Sequence, residues 1–144
     1  MLQKVGLPAL ADGALLKTDS FIDGAWVPAA SGARFVVHNP ADGLKLAEVA
    51  NAGPVEAAQA IAAAARAMPA WRGKTAKERA AVLRKWFELI LASQEDLAKL
   101  MTAEQGKPLT ESRGEVVYGA SFIEWFAEEG KRAYGDVIPT TQAD

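Results

Sequence analysis

The residues with most apparent chemistry are the run Glu104-Gln105-Gly106-Lys107-Pro108, the carboxylates Glu111 and Glu115, the cluster Glu124, Glu128 and Glu129, and the single histidine, His38. Gly106-Lys107 is the closing dipeptide of a phosphate-binding loop. That loop also needs a glycine five residues earlier and Ser or Thr after the lysine, and Met101 and Pro108 stand there. A helix stop is the better account of Gly106. Glu111 and Glu115 fall on one helix face, where paired carboxylates can shuttle protons. Spacing on a polar stripe does not by itself make a catalytic pair. Glu124, Glu128 and Glu129 could hold a metal or a basic partner. A solvated face relieved by Lys131 and Arg132 is the plainer reading, since negative charge at a helix C-terminus opposes the dipole. His38 has no second histidine or cysteine to join, and reads as a surface or hydrogen-bonded structural residue.

Composition narrows the chemistry further. The chain has 144 residues, half of them hydrophobic and 24% charged, enough for one domain of ordinary size. Its formal net charge of −2 supplies no positive field for phosphates, which argues against nucleic acid as a partner. With no cysteine there is no disulfide, thiolate metal site or thiol nucleophile, and one histidine makes neither a His-based triad nor a two-His zinc site. No G-x-G-x-x-G turn is present. Nor does any stretch approach the roughly 18 apolar residues that span a bilayer. The expectation is a soluble, cytoplasmic protein without a self-contained active site.

The elements that must position these residues divide near Gly53. Residues 1–19 read as a poorly ordered arm, because Pro8, Asp12 and Gly13 break the apolar stretch a signal peptide would need. Residues 20–51 read as short strands. Ser20-Phe21-Ile22-Asp23 runs into Gly24-Ala25 and then Trp26-Val27, short extended pieces around a tight turn, and Arg34–His38 returns through Asn39-Pro40-Ala41-Asp42-Gly43 into Lys45–Ala50. Residues 54–130 read as four helices. The first runs from Pro54 to Met68 and is stopped by Pro69, with Ala57, Ala58, Ile61, Ala64, Ala65 and Met68 as its packing face and Trp71 plugging the gap beyond. The second opens on the capping box Thr75-Ala76-Lys77-Glu78 and buries Val82, Leu83, Trp86, Phe87, Leu89 and Ile90. The third runs from Gln94 to Gln105, capped by Ser93, with Leu97, Leu100 and Met101 inward. The fourth reaches about Gly130 with aromatics on more than one side. Tyr134–Pro139 then reads as a terminal strand with no partner in view.

Taken in order, these segments resemble the opening of the NAD(P)-dependent aldehyde dehydrogenases. The resemblance rests on Phe21-Ile22-Asp23-Gly24-Ala25-Trp26-Val27, Ser31-Gly32, Asn39-Pro40-Ala41-Asp42-Gly43, Trp71, Arg79, Leu83, Glu104 to Leu109, Gly114-Glu115-Val116 and Gly135 to Pro139. Phe122 to Glu129 followed by Tyr134-Gly135-Asp136 looks most like the succinate-semialdehyde dehydrogenase branch. Members of that family are about three times this length, more than one domain holds. The resemblance therefore implies an α/β parent with a Rossmann-type cofactor domain, of which residues 20–130 are the N-terminal part. Residues 131–144 would start an oligomerisation β-arm, pairing copies through the terminal strand, and the remainder of the same polypeptide would cover the helices.

In that family a cysteine thiolate attacks the aldehyde, hydride passes to NAD or NADP, and a glutamate activates water. None of those residues matches a position here, so the resemblance carries over no catalytic, cofactor-binding or metal-binding residue. It does imply that the fourth helix borders the substrate tunnel, with Tyr118 and Phe122 on its wall; read as residues alone, both are core aromatics. Two functions follow. One is the N-terminal portion of an enzyme oxidising a small aldehyde, succinate semialdehyde foremost, to its carboxylate. The other is a non-catalytic helical binding module derived from that scaffold. The first predicts uncovered apolar surface, the second a monodisperse particle that unfolds cooperatively.

Overall fold

A computed structural model of the chain describes residues 6–142. Two antiparallel hairpins precede four helices, as the spacing predicts. The first hairpin joins β1 (Ser20–Ile22) to β2 (Ala25–Val27), with Phe21 opposite Trp26. Its turn places Asp23 at φ 52° and Gly24 at φ 83°, the left-handed conformations a two-residue hairpin turn requires. The second joins β3 (Arg34–His38) to β4 (Lys45–Ala50), with a register shift between Val37 and His38. Its turn is held by side chains: Asn39 Oδ1 accepts from Ala41 N–H at 2.9 Å and Asp42 Oδ1 from Leu44 N–H at 2.9 Å.

The helices are α1 (Pro54–Arg72), α2 (Ala76–Ala92), α3 (Gln94–Gln105) and α4 (Leu109–Glu129). Thr75 and Glu78 form the predicted capping box on α2, the Thr75 N–H donating to Glu78 Oε2 at 2.7 Å and Thr75 Oγ1 accepting from Glu78 N–H at 3.3 Å. Gly106 ends α3 at φ 82°, its N–H donating to the Thr102 carbonyl at 2.9 Å. The core is built of small residues. Ala80, Ala98, Val116, Ala120 and Ala127 are buried, and α4 packs closely on α2 and α3. The hydroxyls of Thr102 and Ser112 meet at 2.8 Å, satisfying both where α3 crosses α4.

Several expectations are corrected. The helix does not stop at Pro69: α1 continues to Arg72, because a proline so near the end forfeits one intrahelical bond while its own carbonyl accepts from Gly73 N–H at 2.9 Å. Trp71 accordingly belongs to α1 and plugs no gap. Ala57, Ala58, Ile61, Ala64, Ala65 and Met68 are exposed, since among the strands and helices α1 packs chiefly on the three-residue β1, with Ala63 its buried apolar residue. On α2 the inward residues are Leu83, Phe87 and Ile90; Val82, Trp86 and Leu89 lie on an uncovered face. Ser93 does not cap α3 with its side chain, for its backbone (φ −101°, ψ 10°) still belongs to the last turn of α2 rather than to the extended N-cap conformation.

The strand expected over residues 134–139 is not formed. Val137 and Ile138 are almost wholly exposed, and no strand among the described residues lies beside them to complete a ladder. The arm at residues 1–19 is better held than expected where it is described. Gly6 N–H donates to the Lys45 carbonyl at 2.9 Å, and Gly13–Leu15 forms a 3-10 turn. Residues 1–5, 143 and 144 lie outside the described residues.

Candidate functional site

The long α4 brings most of the singled-out residues onto one element. Its buried side, Ser112, Val116, Ala120 and Ala127, follows the helical repeat, so the aromatics between those positions must face outward. Tyr118 and Phe122, one turn apart, meet edge to face with centroids 4.9 Å apart and planes at 80°. They are 65% and 47% exposed, so within this chain they form an aromatic ledge and not a core. Next to the ledge is an open groove of about 750 Å³. Phe122 and Trp125 form its apolar wall, and Arg84, Glu124 and Arg132 its charged rim. Arg84 reaches from α2, its Nη1 donating to Glu124 at 2.6 Å while the guanidinium lies 5.0 Å from the Phe87 ring centroid.

The acidic cluster is neutralised within the helix end, as the solvated-face reading expects. Glu128 pairs with Lys131 at 2.6 Å and Glu129 with Arg132, leaving Glu124 to Arg84. The Lys131 partner holds Glu128 below the usual carboxylate range. Glu111 and Glu115 do not act together: Glu115 pairs with Lys107, and the intervening Arg113 grips Glu95 of α3 through Nε at 2.7 Å and Nη2 at 2.9 Å. Among the described residues no three carboxylates or histidines are placed to hold a metal ion. His38 is exposed at the end of β3.

Two buried carboxylates escaped the sequence reading. Asp96, 6% exposed, accepts from Ala11 N–H at 3.0 Å and Asp12 N–H at 2.8 Å, and those bonds hold its carboxyl below the usual range. Glu56 accepts from Gly53 N–H at 2.6 Å and Ala30 N–H at 2.8 Å, with the same consequence. Each stands three residues after its helix's N-cap. An acid at that position is the half of a capping signal that a sequence does display; its second, distant partner is not written there. The N-terminal turns of α1, α2, α3 and α4 each carry an acidic residue, Glu56, Glu78, Glu95 with Asp96, and Glu111. Carboxylates there repel a phosphate, and with no glycine-rich turn these residues do not fit a dinucleotide.

Residues 26–144 match the profile of the Aldehyde dehydrogenase family. The chain belongs to that family. Like this chain's hairpins and helices, the solved neighbours have the α/β aldehyde dehydrogenase fold. A crystal structure of an Escherichia coli NADP-dependent enzyme superposes with a TM-score of 0.91 at 57% identity, over 94% of this chain and 28% of that one. Among the curated relatives of this aldehyde dehydrogenase segment is succinate-semialdehyde dehydrogenase [NADP(+)] GabD of Escherichia coli K12, 57% identical over 135 residues. Another is 3-sulfolactaldehyde dehydrogenase of Pseudomonas putida, 56% identical over the same length. In both cases the match covers 94% of this chain and 28% of the relative. The aldehyde dehydrogenase resemblance thus extends through α4, including the aromatic ledge. No described helix is long and apolar enough to cross a membrane.

Proposed function

We propose that the chain is the N-terminal part of an NAD(P)-dependent aldehyde dehydrogenase that oxidises a short aldehyde carrying a terminal anion, succinate semialdehyde foremost, to its carboxylate. The observation carrying this reading is the 57% identity to a succinate-semialdehyde dehydrogenase across 94% of the chain. The sulfolactaldehyde relative is almost as similar, and its substrate is also a short aldehyde with an anionic end. In this reading residues 20–130 belong to the N-terminal part of the cofactor-binding domain, and residues 131–144 start an arm that pairs copies in a cytoplasmic homo-oligomer. The uncovered faces of α2 and α4 pack on the remainder of the polypeptide.

The reacting thiol and the cofactor's phosphate site fall outside these residues, which hold no cysteine and no glycine-rich turn. This chain's own contribution is a wall. Tyr118 and Phe122 present ring edges that exclude water beside the aldehyde and limit its approach, and the carbon chain of the substrate lies along them. The decisive experiment reads the coding sequence after the Asp144 codon and expresses the whole frame. Reduction of NAD+ or NADP+ with succinate semialdehyde by that product, and none by the 144-residue chain, is the expected result. A stop codon directly after Asp144, with a monodisperse product that captures a partner, would favour the binding-module reading instead.

A further inference from the structure

The β3–β4 hairpin and α3 share few direct contacts. Between them runs the segment before β1: Leu7 and Leu16 line a small cavity of about 140 Å³ together with Val37 and Leu46 of the hairpin and Leu100 of α3. We infer that residues 6–16 are a strap coupling the hairpin to α3 through one releasable clasp, Asp96, and that the strap opens while α2, α3 and α4 stay folded.

The attachment is concentrated at few atoms. On the hairpin side Gly6 N–H donates to the Lys45 carbonyl at 2.9 Å. On the helix side both oxygens of Asp96 are taken by the strap, and Lys99 Nζ donates to the Ala9 carbonyl at 3.2 Å. Apart from the turn at Gly13–Leu15 the strap has no regular structure, so no ladder of its own protects its amides. The charges facing the clasp are otherwise occupied or supportive. Lys99 lies 3.7 Å from Asp96 Oδ1. Glu95 is drawn away to Arg113, Asp12 turns its carboxylate to Ala14 N–H, and Lys45 of β4 pairs with Glu48. Ser112, Val116 and Ala120 of α4 are buried, and among the helices α4 packs chiefly on α2 and α3. Opening the clasp would widen the cavity at Leu46 and Leu100 and leave the packing of Gly106 under Pro40 as the direct link between the hairpin and the end of α3.

The test is native-state amide exchange on the chain in urea below its unfolding transition, read residue by residue. The amides of Ala11 and Asp12 should exchange at least about tenfold faster than those of Val116 and Ala120, with weaker urea dependence, as a sub-global opening requires. Asp96→Ala should speed their exchange by a further factor of about ten and leave α4 unchanged, with Asp96→Asn, which offers one acceptor oxygen, in between. Equal exchange of strap and α4 in the unaltered chain, or an Asp96→Ala chain with unchanged strap protection, would overturn the inference. So would an Asp96→Ala chain that fails to fold, because the clasp would then belong to the global structure. Neither outcome bears on the aldehyde dehydrogenase reading, which rests on other residues.

Discussion

Gly106 sits directly beneath Pro40, so that a Cβ built on the glycine would lie 2.8 Å from the proline Cγ. The contact joins the end of α3 to the turn of the β3–β4 hairpin, and Gly106 also holds φ at 82°. Gly106→Ala should therefore lower stability by more than about 1 kcal/mol, from left-handed strain and from the clash together. Adding Pro40→Ala should recover only part of the loss, since the strain remains. Urea unfolding of the single and double variants checks both statements.

The cap at Thr75 should behave as a local device. Thr75→Ala removes the acceptor of the Glu78 N–H and should cost about 1 kcal/mol, whereas Thr75→Ser should be nearly neutral. Thermal unfolding of the two variants distinguishes the lost bond from a general intolerance at that site.

Acid should weaken the fold in a definite window. Asp96 and Glu56 are held below their ordinary values of 3.8 and 4.5 by backbone N–H donors, Ala11 then Asp12 for the first and Gly53 then Ala30 for the second. A carboxyl with a depressed folded pKa lends its full stability above the unfolded value and loses it as pH falls through the folded one. Stability should be flat from neutrality to about pH 5 and fall below that. A Glu56→Gln chain should be weaker near neutrality and show a shallower acid slope, measured as Tm against pH, whereas acid acting at Asp96 should speed exchange of the Ala11 and Asp12 amides without moving Tm.

Helix number, the capping box, the Asn39 to Gly43 turn and the glycine stop at Gly106 were legible in the sequence because each depends on residues within a few positions of one another. What could not be read were choices made at long range. Val82, Trp86 and Leu89 carry the same periodicity as Leu83, Phe87 and Ile90, and only the placement of α4 decides which trio is covered. Nothing near Asp96 in the sequence points to its partner, for the Ala11 N–H that it accepts from lies 85 residues away. For the same reason Tyr118 and Phe122 could be named as a pair, while their exposure depended on packing elsewhere.

The open face of α2 makes its own prediction. Trp86 is 55% exposed and bears little of this chain's core, so Trp86→Gln with Leu89→Gln should leave the unfolding midpoint within the small range of surface changes, about 0.5 kcal/mol. Dye binding and aggregation of the 144-residue chain should fall markedly, because the pair is the centre of an almost wholly apolar patch. A large loss of stability would mean that the face is already covered.

The aromatic ledge can be tested apart from stability. Tyr118 and Phe122 contact each other at the surface of this chain, so Tyr118→Ala and Phe122→Ala should unfold nearly like the parent sequence. In the whole reading frame the same changes should lower kcat/KM for succinate semialdehyde by about tenfold or more, equivalent to about 1.4 kcal/mol of transition-state stabilisation. The loss should be smaller for Tyr118→Phe, which keeps the ring edge against Phe122 and gives up only the hydroxyl. A wall role also predicts that the penalty changes with the length of the aldehyde, since the ring edges meet its carbon chain and not its reacting carbon. Equal losses for short and long aldehydes would instead place the pair's effect on folding of the parent or on the reacting centre, and circular dichroism of the same samples separates those two.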